Sequence, residues 1–268
     1  MVLLRHLCYP FAIALAALVV IDSMEAERLA QAAAEMQSLA GSTRMAWAAL
    51  LERLSLAWYS GARDLASAYD SVAVAAQAAG ARATTAAAGL GALAVLQLVA
   101  LGWPVSWRAA TLAWHLNLLG AVAFAVGIAA PMLTIVAHAE VPVLGEVILR
   151  YEAKSILSTI GDLVAGGNLL LALLIGAFSI LLPAIKTALV AIAVGPVGAA
   201  AHRRCIALLH AVGKWSMADV FVVAVLVAYL AAGKDAYSSA HLGPGLYAFA
   251  AYCLLSMCAA LCAQRSRP

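Results

Sequence analysis

The sequence predicts an all-α integral membrane protein of about six transmembrane helices, and three observations lead there. Of the 268 residues, 66% are hydrophobic and only 11% are charged. Mean hydropathy is +0.99, more apolar than a water-soluble core of this size requires. Apolar runs also recur at a length that fits a bilayer, whose hydrocarbon core of about 30 Å is crossed by roughly 20 residues.

Taken in order, the first run is Leu7 to Ile21, behind a short basic stretch containing Arg5. It reads as a signal peptide or a retained anchor. Asp22, Met24, Glu25 and Glu27 crowd the place where a small-residue cleavage site should lie, which favours an anchor over residues 1–22. Residues 23–85 are rich in Ala, with Leu, Met and Trp recurring at helical intervals, as in Leu29, Met36 and Leu39 or Trp47, Leu50, Leu51 and Leu54. They predict two or three amphipathic helices broken near Gly41 and Gly61, packed on one another, on the membrane face or on an envelope partner. The second span is expected over Ala86 to Trp103, within a segment 86–107.

Pro104 and Trp107-Arg108 mark a junction, after which residues 108–268 read as a core module. Its spans are expected at Thr111 to Leu133, Asn168 to Val194, Met217 to Ala232 and Leu246 to Ala263. Between the first two lies a segment of different texture. Thr134 to Val143 is β-branched and broken by Pro142, Val147 to Tyr151 alternates weakly, and helical spacing resumes at Ser155 before Gly166 and Gly167. A small strand pair is the expectation there.

Cationic loops resist translocation. Arg5, Arg108, the group Arg203, Arg204 and Lys214, and the tail residues Arg265 and Arg267 fall on one side of six spans. Both termini are then cytoplasmic, and residues 23–85, 134–167 and 233–243 are exported.

The informative polar residues lie inside the spans. In Phe178-Ser179-Ile180-Leu181-Leu182-Pro183-Ala184-Ile185-Lys186, the proline lacks an N–H and so frees the carbonyl of Ser179. Lys186 sits two turns from Ser179 on the same face, so hydroxyl, carbonyl and cation form a polar stripe. Two readings stand for Lys186: an anchor whose stem snorkels to the headgroups, or a member of an intramembrane polar site. Ser216 and Asp219 resemble a capping box at the start of the fifth span, and Trp215 suits the interface. The alternative for Asp219 is a charge pair with Lys186. Ser256 is a lone hydroxyl deep in the last span, whose first turn follows Gly243-Pro244-Gly245. His115 and Asn117 read as packing contacts.

Cys8, Cys205, Cys253, Cys258 and Cys262 form no C-x-x-C pair, there is no phosphate loop and no nucleophile with a base. The expectation is a non-enzyme without metal or cofactor that does not bind nucleic acid.

Pro131-Met132-Leu133, Ser155-Ile156-Leu157, the Ser179 to Lys186 helix, Gly213-Lys214-Trp215-Ser216-Met217-Ala218-Asp219-Val220-Phe221, Gly243-Pro244-Gly245 and Leu255-Ser256-Met257 together resemble the paraquat-inducible protein A family in order and spacing. The resemblance runs from about residue 108 to the end and implies a four-helix module of the bacterial inner membrane. It further implies work on membrane lipids, loading or unloading them for a periplasmic MCE-type (mammalian-cell-entry-type) lipid-transport protein. The alternative is a non-transporting scaffold that anchors a periplasmic complex. Larger members carry two modules and Cys-rich zinc ribbons. This chain has one module, no ribbon, and the added region 23–85.

Overall fold

The computed structural model describes residues 2–54, 60–102, 109–142, 145–195, 198, 200–213 and 238–265. It is a helical membrane protein with one small sheet. Helix α1 spans Val2–Met36, α2 Leu39–Leu54, α3 Gly61–Gly102 and α4 Ala109–Ala129. Strands β1 (Leu133–Val141) and β2 (Gly145–Lys154) follow, then α5 (Ile156–Ala165) and α6 (Leu169–Gly176). A π-helical turn over Ala177–Leu181 leads into α7 (Leu182–Val194), residues 200–213 form α8, and β3 (Ser238–Leu242) precedes α9 (Pro244–Arg265). Among the described residues, five helical stretches are long and apolar enough to cross a bilayer. The expected span Met217 to Ala232 lies outside the described residues.

Four helix limits differ from those expected. The helix that carries the first span does not stop near Ile21 but runs on through Met36. Residues 24–36 are Ala, Glu, Arg, Gln, Leu and Met, all strong helix formers with no breaker among them. Likewise α3 runs without interruption from Gly61 through the expected second span. The break expected at Gly41 falls at residues 37–38 instead. Gly41 still matters to that turn, since a Cβ on it would collide with the carbonyl of Met36, and its N–H meets the Ser38 hydroxyl at 3.3 Å. The span expected to reach Leu133 ends at Ala129, and Leu133 already opens β1.

The expected strand pair is present, and it gains a third member. The sheet order is β2-β1-β3, both pairs antiparallel, with a register shift between Ala137 and His138. β3 lies within the stretch 233–243 expected to be exported, and its five residues, Ser238–Leu242, are too short to show an alternation in the sequence. Ser155 caps α5 in a reciprocal box with Ser158.

Helices α1 and α3 lie along one another, and α1 also touches α4. Ala16, Val19, Ala86, Val126 and Ala130 form the core near the sheet. The opposite end of the bundle is held by Ala113 and Leu116 of α4, Val190 and Ala193 of α7, Cys205 and Leu209 of α8, and Ala259 and Ala263 of α9. There His202 of α8 bonds the Ala193 carbonyl at 2.9 Å, satisfying one of the orphan carbonyls at the end of α7.

Glu27 of α1 ties the sheet to the helices. One carboxylate oxygen accepts from the Thr134 hydroxyl at 2.8 Å, the other from the Tyr151 hydroxyl at 2.5 Å. Burial, reinforced by this bond to Glu27, pushes the Tyr151 hydroxyl well above the usual tyrosine range. Arg82 of α3 bridges Asp22 and Glu25 of α1 at 3.2 and 3.3 Å, just outside the apolar half of the pair.

Candidate functional site

The π turn before α7 is where a membrane helix departs from regular geometry. Leu182 donates its N–H five residues back, to the carbonyl of Ala177, and Pro183 follows at the start of α7, where its missing N–H is tolerated. Side-chain hydrogen bonds converge here on the carbonyl of Pro183. The Tyr252 hydroxyl of α9 donates to it at 2.8 Å and the Thr187 hydroxyl at 2.9 Å, and the two hydroxyls are 3.4 Å apart. Asn117 of α4 donates its amide to the Thr187 carbonyl at 3.2 Å. Three spans, α4, α7 and α9, are thereby stitched together by neutral polar groups in a region where water cannot substitute for them.

Lys186 lies within this stretch, one residue before Thr187, and is only 6% exposed. A lysine whose only role is to snorkel keeps its head accessible at the interface, so its burial assigns it to the bundle interior. Ser256 is 3% exposed and sits one turn from Tyr252 on the same face of α9. Ser179 is half-buried within the π turn. The structure therefore places Pro183, Lys186 and Ser256 in the interior of the α4, α7 and α9 bundle. Trp215, Ser216, Met217 and Asp219 lie outside the described residues.

Tyr252 and Thr187 were missed by the sequence reading. A usable signal was present: Thr187 adjoins Lys186, and Tyr252 precedes Ser256 by four residues, the spacing of one helical face. Tyr252 is held in place by rings on either side, with Phe124 at 4.9 Å and Phe249 at 6.0 Å between centroids. Asn117, read as a packing contact, links helices as just described. His115 is also buried and is stacked against Tyr9 of α1, whose hydroxyl bonds its Nδ1.

Two separated motifs meet at the sheet. The N–H of Gly243 donates to Met132 O and that of Gly245 to Pro131 O, each at 2.9 Å. A Cβ on either glycine would strike the backbone of Ala130 or Pro131. Gly243-Pro244-Gly245 is thus the close-approach turn that seats α9 against the end of α4.

With this arrangement in view, the family model of paraquat-inducible protein A matches residues 120–267. The chain belongs to that family. No curated protein and no solved structure matches it. The family region takes in the latter part of α4, the sheet, α5 to α9 and both motifs just described, whereas α1, α2 and α3 lie outside it. Among the described residues of this family member, no three His, Cys, Asp or Glu side chains gather as metal ligands.

Proposed function

We propose that this member of the paraquat-inducible protein A family is a non-catalytic inner-membrane subunit of a lipid transport system. It loads or unloads phospholipid for a periplasmic MCE-type partner through the polar interior of α4, α7 and α9. Both termini face the cytoplasm, as the distribution of Arg5, Arg108, Arg203, Arg204, Lys214, Arg265 and Arg267 supports, and the sheet faces the periplasm. The observation that carries the reading is the buried Lys186 on a π-bulged, proline-containing span. An intramembrane cation costs a few kcal/mol, and irregular backbone at that depth accompanies function more often than anchoring. Asp219, at the start of the fifth span, is the proposed counter-charge, and Ser179 and Ser256 complete the network. A purely anchoring scaffold needs none of these groups.

The test is affinity purification from native membranes in mild detergent, with Lys186→Ala in parallel, followed by mass spectrometry of the partner and of the lipid loaded on it. The expected outcome is a co-purifying periplasmic lipid-binding protein whose phospholipid content falls severalfold in Lys186→Ala while its recovery is unchanged. Equal lipid content on the partner in both preparations would overturn transport in favour of the scaffold.

A further inference from the structure

Between the added N-terminal helices and the family module lies a cavity of about 550 Å³. Its walls come from α1, α3, α4 and the first half of α9, with Leu242 of β3. Glu27, Ser23, Thr84 and Pro244 lie at the sheet end, and Ala94, Leu119 and Leu255 at the deep end. From Gly80 to Ala94 along α3 the slot is about 20 Å long at 1.5 Å per residue.

We infer that this slot holds one acyl chain of a bilayer phospholipid drawn from the leaflet on the sheet side. Length is the first argument: half of a hydrocarbon core of about 30 Å is about 15 Å, the depth of one leaflet's chain. Lining is the second. Apart from Ser23, Glu27, Thr84 and the Tyr247 hydroxyl, the walls are glycines, Pro244 and apolar side chains, which give a hydrocarbon chain dispersion contacts along its length and offer a polar occupant no partners. Water is excluded by chemistry, since each ordered water needs two to four polar partners and the deep part of the slot is walled by Ala, Gly, Val and Leu. The polar groups at the mouth have partners of their own: Glu27 accepts from Thr134 and Tyr151, and Ser23 donates to the Val20 carbonyl. They mark where the chain gives way to its headgroup.

The space is built into α3. A Cβ added to Gly80 or Gly91, both of which line the slot, meets no atom within 4 Å. Substitution there fills the slot without displacing a neighbour. The site involves residues outside the family region, and its test reads occupancy rather than movement of lipid, so its failure leaves the Lys186 reading untouched.

The full chain is reconstituted in phosphatidylethanolamine and phosphatidylglycerol vesicles doped with a phospholipid carrying a photoactivatable diazirine on one acyl chain, and adducts are mapped by mass spectrometry. Adducts are expected on the slot-lining residues of α3 and α9, falling at least fivefold in Gly91→Leu and unchanged in Leu96→Trp, whose position on α3 is exposed to lipid. Gly80→Leu, at the other end of the slot, repeats the test should Gly91→Leu fail to fold. Adducts confined to exposed positions such as Val95 and Leu96, or slot labelling unaffected in a folded Leu variant, would overturn the assignment.

Discussion

Glycines do opposite things in α4 and in α3. On α4, a Cβ at Gly127 would stand 2.9 Å from the backbone and Cβ of Phe249, and one at Gly120 would stand 3.6 Å from Leu255. Here the missing side chain lets α9 press against α4, the usual means by which helices gain van der Waals contact in lipid. On α3, Gly80 and Gly91 face open space. The surrounding α1–α3 contact is made by small residues as well, Ala12, Ala16, Ala79, Ala83 and Ala86, all buried. Small residues therefore seal one helix pair and leave a slot beside the other. Composition alone does not distinguish a tight interface from a cavity wall; the facing residue does.

One substitution made in both places should break the symmetry. Gly127→Ala is expected to destabilise the protein by about 1–3 kcal/mol, because the methyl has to displace the backbone of α9. Gly91→Ala should instead leave stability unchanged or raise it by up to about 1 kcal/mol, the gain of alanine over glycine in a helix interior. Thermal midpoints of purified protein in one detergent check both signs, and a loss of similar size in both variants would erase the distinction.

Gln97 sharpens the same contrast. It lies on α3 one turn beyond the slot-lining Ala94, is 6% exposed, and among the described residues neither atom of its amide has a hydrogen-bond partner. Gln97→Leu removes two unsatisfied polar atoms and should stabilise the protein by about 1–2 kcal/mol. A lower midpoint in this variant would mean that the amide is satisfied in the bilayer and that α3 is polar-tuned as α7 is. On the module side, Tyr252→Phe deletes one donor to the Pro183 carbonyl while keeping the ring between Phe124 and Phe249. The expected loss is about 0.6–1.7 kcal/mol, the range of interhelical hydrogen bonds in membranes. Because the Thr187 hydroxyl also donates to that carbonyl, Thr187→Val together with Tyr252→Phe should cost more than the sum of the two alone.

The legibility of the chain follows the same division. Five of the expected spans were readable because hydrophobicity over about 20 residues is a strong signal, and the strand pair because Thr134 to Val143 is β-branched. The end of the first helix was not readable, since an alanine-rich stretch continues the helix past the apolar run with no change of local conformation. In the candidate site, Pro183, Lys186 and Ser256 stood out as chemical exceptions in apolar runs. Thr187 and Tyr252 did not, because a hydroxyl beside a charge and an aromatic near an interface are both common, and their role comes from the π turn that presents the Pro183 carbonyl to them. By backbone chemistry the proline denies the Ser179 carbonyl its regular helical partner. The side-chain donors gather one turn further on, at Pro183 itself.

The length of the α1–α3 pair has one more consequence. At 1.5 Å per residue, the 35 residues of α1 and the 42 of α3 extend about 52 and 63 Å, against a hydrocarbon core of about 30 Å. The excess stands on the sheet side as a post beside the membrane, braced at its foot by Arg82 with Asp22 and Glu25 and along its flank by the bond from the Ile148 N–H to the Gln37 carbonyl. A pair of that length carries its tip well clear of the hydrocarbon core, and shortening each arm by two turns lowers the tip by about 11 Å without touching the bundle below.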